Sequence, residues 1–106
     1  MTDHFDGIEK LKTKEQRFEA LVRMGCIACH IAGLGHTEPC IHHLLGIKYR
    51  ATGKKAHWRH TIPLCPTHHD GKHQEYPSAH HRPHLFKALY GSQEELLAET
   101  NKRLLK

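Results

Sequence analysis

The stretch TIPLCPTHH, residues 61–69, decides how this chain is read. Residues 61–65 form a short apolar run that reads as a β-strand. Cys65 and His68 then stand three positions apart, the spacing of two ligands on one metal ion, and His69 follows at once on the short helix that the pair begins.

A matching pair lies upstream. CIAC places Cys26 and Cys29 at the same spacing, so Cys26, Cys29, Cys65 and His68 make a closed Cys₃His set for a structural zinc. Such a site ties the end of the first helix to the end of the second strand and contributes folding free energy on the order of 10 kcal/mol. A redox CxxC would sit in a thioredoxin-like alternation of strands and helices, which the chain lacks. Cys40, the remaining cysteine, is expected as a buried free thiol on the first strand.

That strand belongs to PCIHHLLG, residues 39–46. CIHHLL and TIPLC read as the two strands of a β-hairpin, joined by the long basic linker GIKYRATGKKAHWR. Neighbouring side chains on a strand point to opposite faces, so His42 and His43 have different tasks. On the helix after the second strand His68 is turned to the cysteines, which leaves His69 facing elsewhere, and His73 lies four residues on. His42, His69 and His73 can therefore form an open three-histidine site, with water and substrate oxygens filling the remaining positions.

The flanks read as helices. In TKEQRFEALVRMG, Thr13 and Gln16 have capping-box spacing, Phe18, Leu21 and Val22 share a face, and Gly25 closes the C-terminus. RPHLFKALYG ends at Gly91, and Ser92 with Glu95 repeats the capping box for a last helix carrying Leu96, Leu97, Leu104 and Leu105. Both are expected to pack on the hairpin. The fold class is a small α+β chain of 106 residues, one domain made of an N-terminal helix (1–25), a zinc-bearing core (26–75) and C-terminal helices (76–106).

Lys and Arg outnumber Asp and Glu by 16 to 11 and the pI is about 9.2, which favours an anionic partner, nucleic acid first. Lys48, Arg50, Lys54, Lys55 and Arg59 fill the linker between the strands as phosphate contacts, with Tyr49 among them and Trp58 expected in the core. No stretch has the length of a membrane span and the N-terminus has no secretory pattern, so the expected location is cytoplasmic. In that reducing setting the cysteines are ligands or thiols rather than disulfides.

The order CIAC, a strand ending in His42 and His43, then TIPLC, PT and HH over residues 26–73 resembles the HNH endonuclease motif, a hairpin and helix around one divalent metal. The closer resemblance is to the Ref-type nucleases, phage recombination-enhancement proteins that act with RecA; TKEQRFEALVRMGCIAC, IHHLLG, TIPLCPTHH and HLFKALYGSQEELL all look like that group. The resemblance implies a ββα-metal (His-Me finger) core, with His42 as metal ligand, His43 as the general base that activates water, and His69 as the ligand on the metal-bound helix. His60 stands where many HNH proteins carry an asparagine that braces the loop and orients the base. The last ligand is His73 or, because the Ref-like group tends to have a histidine in that region, His80.

The expected function is metal-dependent hydrolysis of DNA phosphodiester bonds, with RecA filaments as a possible director. A structural zinc and a catalytic divalent ion, Mg²⁺ or Mn²⁺, are the cofactors, and the chain is expected to be bacterial or phage-encoded. The second reading is a non-catalytic zinc-stapled DNA-binding module, which has no use for converging histidines.

Overall fold

A computed structural model of the protein describes residues 13–45, 57–70, 78–80 and 82–104. Helix α1 (Lys14–Met24) begins with the expected reciprocal cap: the Gln16 amide donates to Thr13 Oγ1 at 3.1 Å and the Thr13 amide to Gln16 Oε1 at 3.2 Å. Gly25 ends it at φ +86°, and a β-carbon there would lie 2.7 Å from the His36 ring. Leu21 is buried as expected, but Val22 is 40 % exposed and Arg17 takes the inward position in its place. That face of α1 meets polar strand and helix groups that a guanidinium can satisfy and an isopropyl group cannot.

A short helix, α2 (Ile27–Ile31), follows at once. The sequence has little helical periodicity there, because five residues make too little of a turn pattern to register. Strands β1 (Cys40–His43) and β2 (Thr61–Leu64) pair antiparallel in the register Cys40 with Leu64, Ile41 with Pro63, His42 with Ile62 and His43 with Thr61. The expected hairpin is therefore present, and the Leu44 amide extends it by donating to the His60 carbonyl at 3.0 Å.

Helix α3 (Pro66–Asp70) leaves β2 directly. Pro66 suits the first helical position, where the N–H it lacks would have no partner anyway. Helices α4 (Pro83–Tyr90) and α5 (Gln93–Leu104) are divided by Gly91 and Ser92, and the Ser92–Glu95 capping box forms: the Glu95 amide donates to Ser92 Oγ and the Ser92 amide to Glu95 Oε1.

Every residue of β2 is buried, since α1, α2, α3 and α5 all pack against it. Leu44, Ile62, Leu64, Phe86 and Leu96 form one core with Ile27, Ala28 and the three cysteines Cys26, Cys29 and Cys65. Both C-terminal helices reach it, α4 through Phe86 and α5 through Leu96, while Leu104 is only partly buried and Leu105 lies outside the described residues. Cys40 does not enter the core. It is exposed: alternation gives it the same face as the buried His42, but it stands at the first position of β1, and among the described residues the burial found at His42 does not extend that far.

Trp58 is likewise not a core residue. It is half-buried, with the Arg59 guanidinium 4.5 Å above its ring and the His57 ring tilted against it at 5.2 Å. Among the described residues no helix is long and apolar enough to cross a membrane.

Candidate metal centres and active site

Four side chains from three elements converge in the core. Cys26 caps α2, its sulfur accepting from the Cys29 amide at 3.4 Å, so the helix start aims both sulfurs the same way. Cys65 closes β2 and His68 lies on α3. His68 Nδ1 is 3.6 Å from Cys26 Sγ, 3.5 Å from Cys29 Sγ and 3.2 Å from Cys65 Sγ, and Cys29 Sγ lies 3.8 Å from Cys65 Sγ. A four-coordinate ion with bonds of about 2.3 Å to sulfur and about 2.0 Å to nitrogen needs separations of about 3.8 Å between sulfurs and about 3.5 Å between sulfur and nitrogen. The cluster fits, and all four residues are buried.

Burial pushes the Cys26 thiol up to about 12 and raises Cys29, and it lowers His68. Without a cation, burial holds these three groups neutral. A bound metal reverses that balance for the thiols, since it deprotonates the sulfurs it holds. His68 Nε2 lies 3.0 Å from the Tyr90 hydroxyl. With a metal on Nδ1, Nε2 would carry the proton and donate to that oxygen, which would fix the tautomer and ring plane. Tyr90 was not legible as part of this centre; its only sequence signal is its place at the helix end before Gly91.

A second cluster lies on the other side of α3. Successive residues on a helix are turned by about 100°, so His69 faces away from the cysteines and toward His42, with ring centroids 5.2 Å apart. The third member is His80. The chain returns onto the carbonyl end of α3, the Ala79 amide donating to the His68 carbonyl at 2.8 Å and the His80 amide to that of His69 at 3.3 Å. This brings His80 Nε2 to 3.2 Å from His69 Nε2 and its ring to 5.5 Å from that of His42. One nitrogen from each of the three rings lies within 4.8 Å of the others. His73, the other candidate for this position, lies outside the described residues.

The two clusters differ in access. The cysteine set is closed on all sides, whereas in the histidine set His42 is buried, His69 half-buried and His80 exposed. His42 Nδ1 is buried and has no hydrogen-bond partner among the described residues, an omission that costs free energy unless an ion or a ligand takes the lone pair. Burial first, then the neighbouring His69 and His80, pulls its imidazolium down to about 4, so His42 is neutral and able to donate a lone pair at physiological pH. His42 also walls a cavity of about 340 Å³ between β2 and the last two helices, lined by Ile62, Leu64, Phe86 and Leu96.

His43 turns the other way, as strand alternation requires. It is half-buried, and its ring meets Phe18 of α1 edge-on at 6.0 Å. His60 stands at the mouth of the hairpin, where its backbone both accepts from the Leu44 amide and donates to the His57 carbonyl. Of the expected phosphate contacts, Arg59 lies stacked on Trp58 beside this mouth, and Lys48, Arg50, Lys54 and Lys55 lie outside the described residues.

No curated protein and no solved structure matches the chain. The family model described as "Recombination enhancement, RecA-dependent nuclease" matches residues 12–105, which takes in both candidate metal-binding clusters and all the helices described above. The chain therefore belongs to the family of recombination-enhancement, RecA-dependent nucleases.

Proposed function

We propose that the protein is a metal-dependent DNA endonuclease that hydrolyses phosphodiester bonds by an HNH-type mechanism, at sites chosen with the help of RecA on DNA. The observation that carries this reading is the pairing of a closed cluster with an open one. Cys26, Cys29, Cys65 and His68 suit a structural zinc that fixes α3, and α3 in turn presents His69 to His42 and His80 at a place that solvent and substrate can reach.

In this reading His42, His69 and His80 hold the catalytic divalent ion, Mg²⁺ or Mn²⁺, with His73 as the rival for the third place. When bound, the ion stabilises the charge that builds on the phosphate and on the departing 3′ oxygen. His43 accepts the proton of the attacking water, a step for which a neutral imidazole is suited near pH 7 and which is worth roughly a hundred- to ten-thousand-fold in rate. His60 braces the loop beside the base. Arg59 grips an adjacent phosphate, with the linker cations Lys48, Arg50, Lys54 and Lys55 extending the same salt-dependent contact.

The unit acts as a single domain in the cytoplasm of a bacterium or of a phage-infected cell, where DNA and RecA are found. The deciding experiment is incubation of the protein with supercoiled plasmid and Mg²⁺ or Mn²⁺, with and without RecA filaments, beside the His43→Ala variant. Cleavage by the wild type and its loss in a folded, metal-loaded His43→Ala protein is the expected result; full cleavage by that variant removes His43 from the mechanism. Plasmid binding without cleavage under every condition would favour the other reading, a zinc-stapled DNA-binding module.

A further inference from the structure

Arg17 is 4 % exposed on α1 and belongs to no part of either cluster. Its guanidinium spans three elements. Nε donates to Thr61 Oγ1 at 3.0 Å, Nη2 to the Thr61 carbonyl at 2.6 Å, and Nη1 to Asn101 Oδ1 on α5 at 3.0 Å. The Thr61 hydroxyl in turn donates to the Trp58 carbonyl at 2.6 Å.

Thr61 is the strand partner of His43, and Phe18, the residue after Arg17, is the one whose ring meets His43. One turn of α1 thus holds His43 twice, by its ring and by the residue opposite it.

Among the described residues no carboxylate pairs with Arg17, and the charged group that perturbs it is another cation, Arg59. A buried cation with no counter-ion carries a large desolvation cost that a methionine of similar length would avoid. What methionine cannot do is bond two atoms of one residue at once. Lysine cannot do it in the same geometry either, because it lacks the planar fork.

We infer that Arg17 is a positioning residue for the hydrolytic step. By clamping the hydroxyl and the carbonyl oxygen of Thr61 it sets the hairpin mouth from Trp58 to Thr61 and, through the register of the strands, the place of His43. The inference rests on the nuclease reading above. It makes Arg17 act through Thr61, with no contact to the phosphate.

The test uses the full chain and metal-supported plasmid cleavage, with thermal melting and metal content followed in parallel. In Arg17→Met, kcat falls about 10- to 100-fold with KM within twofold of wild type, since misplacement by about 1 Å costs on that order. Arg17→Lys recovers part of the loss, Thr61→Val reproduces it, and the double variant Arg17→Met with Thr61→Val is no slower than the worse single variant. An unchanged kcat in folded Arg17→Met, a change confined to KM, or losses that multiply in the double variant each overturn the inference. Should Arg17→Met fail to fold, Arg17→Lys and Thr61→Val carry the same test, and an unchanged kcat in both overturns it. A wild-type protein that cleaves nothing removes the nuclease reading itself, and this inference with it.

Discussion

Removing one oxygen atom, in Tyr90→Phe, tests whether the cysteine cluster is a metal centre built with outer support. The ring of Tyr90 packs edge-on against His68 at 4.9 Å and tilted against Phe86 at 4.9 Å, contacts that phenylalanine keeps. The 3.0 Å hydrogen bond with His68 Nε2 is lost. Loss of such a support typically weakens metal binding by about 10- to 100-fold, or about 1.4 to 2.7 kcal/mol. Because Tyr90 is half-buried, water can reach the freed N–H and replace part of the bond, which sets the expectation near tenfold. Zinc affinity measured by competition against a chromophoric chelator gives the number, and a melting temperature lowered by several degrees accompanies it. His68→Ala, which removes a ligand outright, sets the scale of complete loss. A Tyr90→Phe protein whose affinity stays within twofold of wild type would refute the argument that His68 binds through Nδ1 with Nε2 anchored to that hydroxyl.

The His42 imidazole titrates at about 4 in the fold because of its burial and the neighbouring His69 and His80, against about 6.5 unfolded. Its contribution to stability is therefore complete above pH 6.5 and is lost as pH falls through the folded value, on the order of 3 kcal/mol in all. Urea unfolding at pH 7, 5.5 and 4.5 measures the decline, and His42→Asn should flatten it; an equal slope in that variant would remove His42 as the cause. His80→Ala should weaken Mn²⁺ binding at the open site far more than His73→Ala does, by calorimetry, and the reverse order would hand the third ligand position to His73. Gly25→Ala meets both a left-handed backbone at φ +86° and the His36 ring 2.7 Å from the new carbon, so it should cost more than the roughly 1–2 kcal/mol of the backbone term alone, read as a lower denaturation midpoint.

The helices with capping boxes, the two short strands and the two paired Cys/His spacings were legible along the chain because each depends on residues within a few positions of one another. Thr13 with Gln16, Ser92 with Glu95, and Cys65 with His68 need only local geometry to meet. The division of labour within HH at residues 68 and 69 was legible for the same reason, since adjacent residues on a helix must face different ways.

What only the tertiary structure decided concerns partners far apart in the sequence. His80 joins His42 and His69 because the returning chain bonds the carbonyl end of α3, a contact that no spacing rule encodes. Arg17 reads as an ordinary polar helix position until β2 and α5 are placed against it, and Cys40 reads as a core thiol until the packing that buries His42, two residues on along the same strand face, proves to stop short of the strand's first position. Periodicity reports the face a side chain occupies on its own element. What that face meets is set by long-range packing, and there a buried guanidinium, an exposed cysteine and the third histidine of a site are chosen.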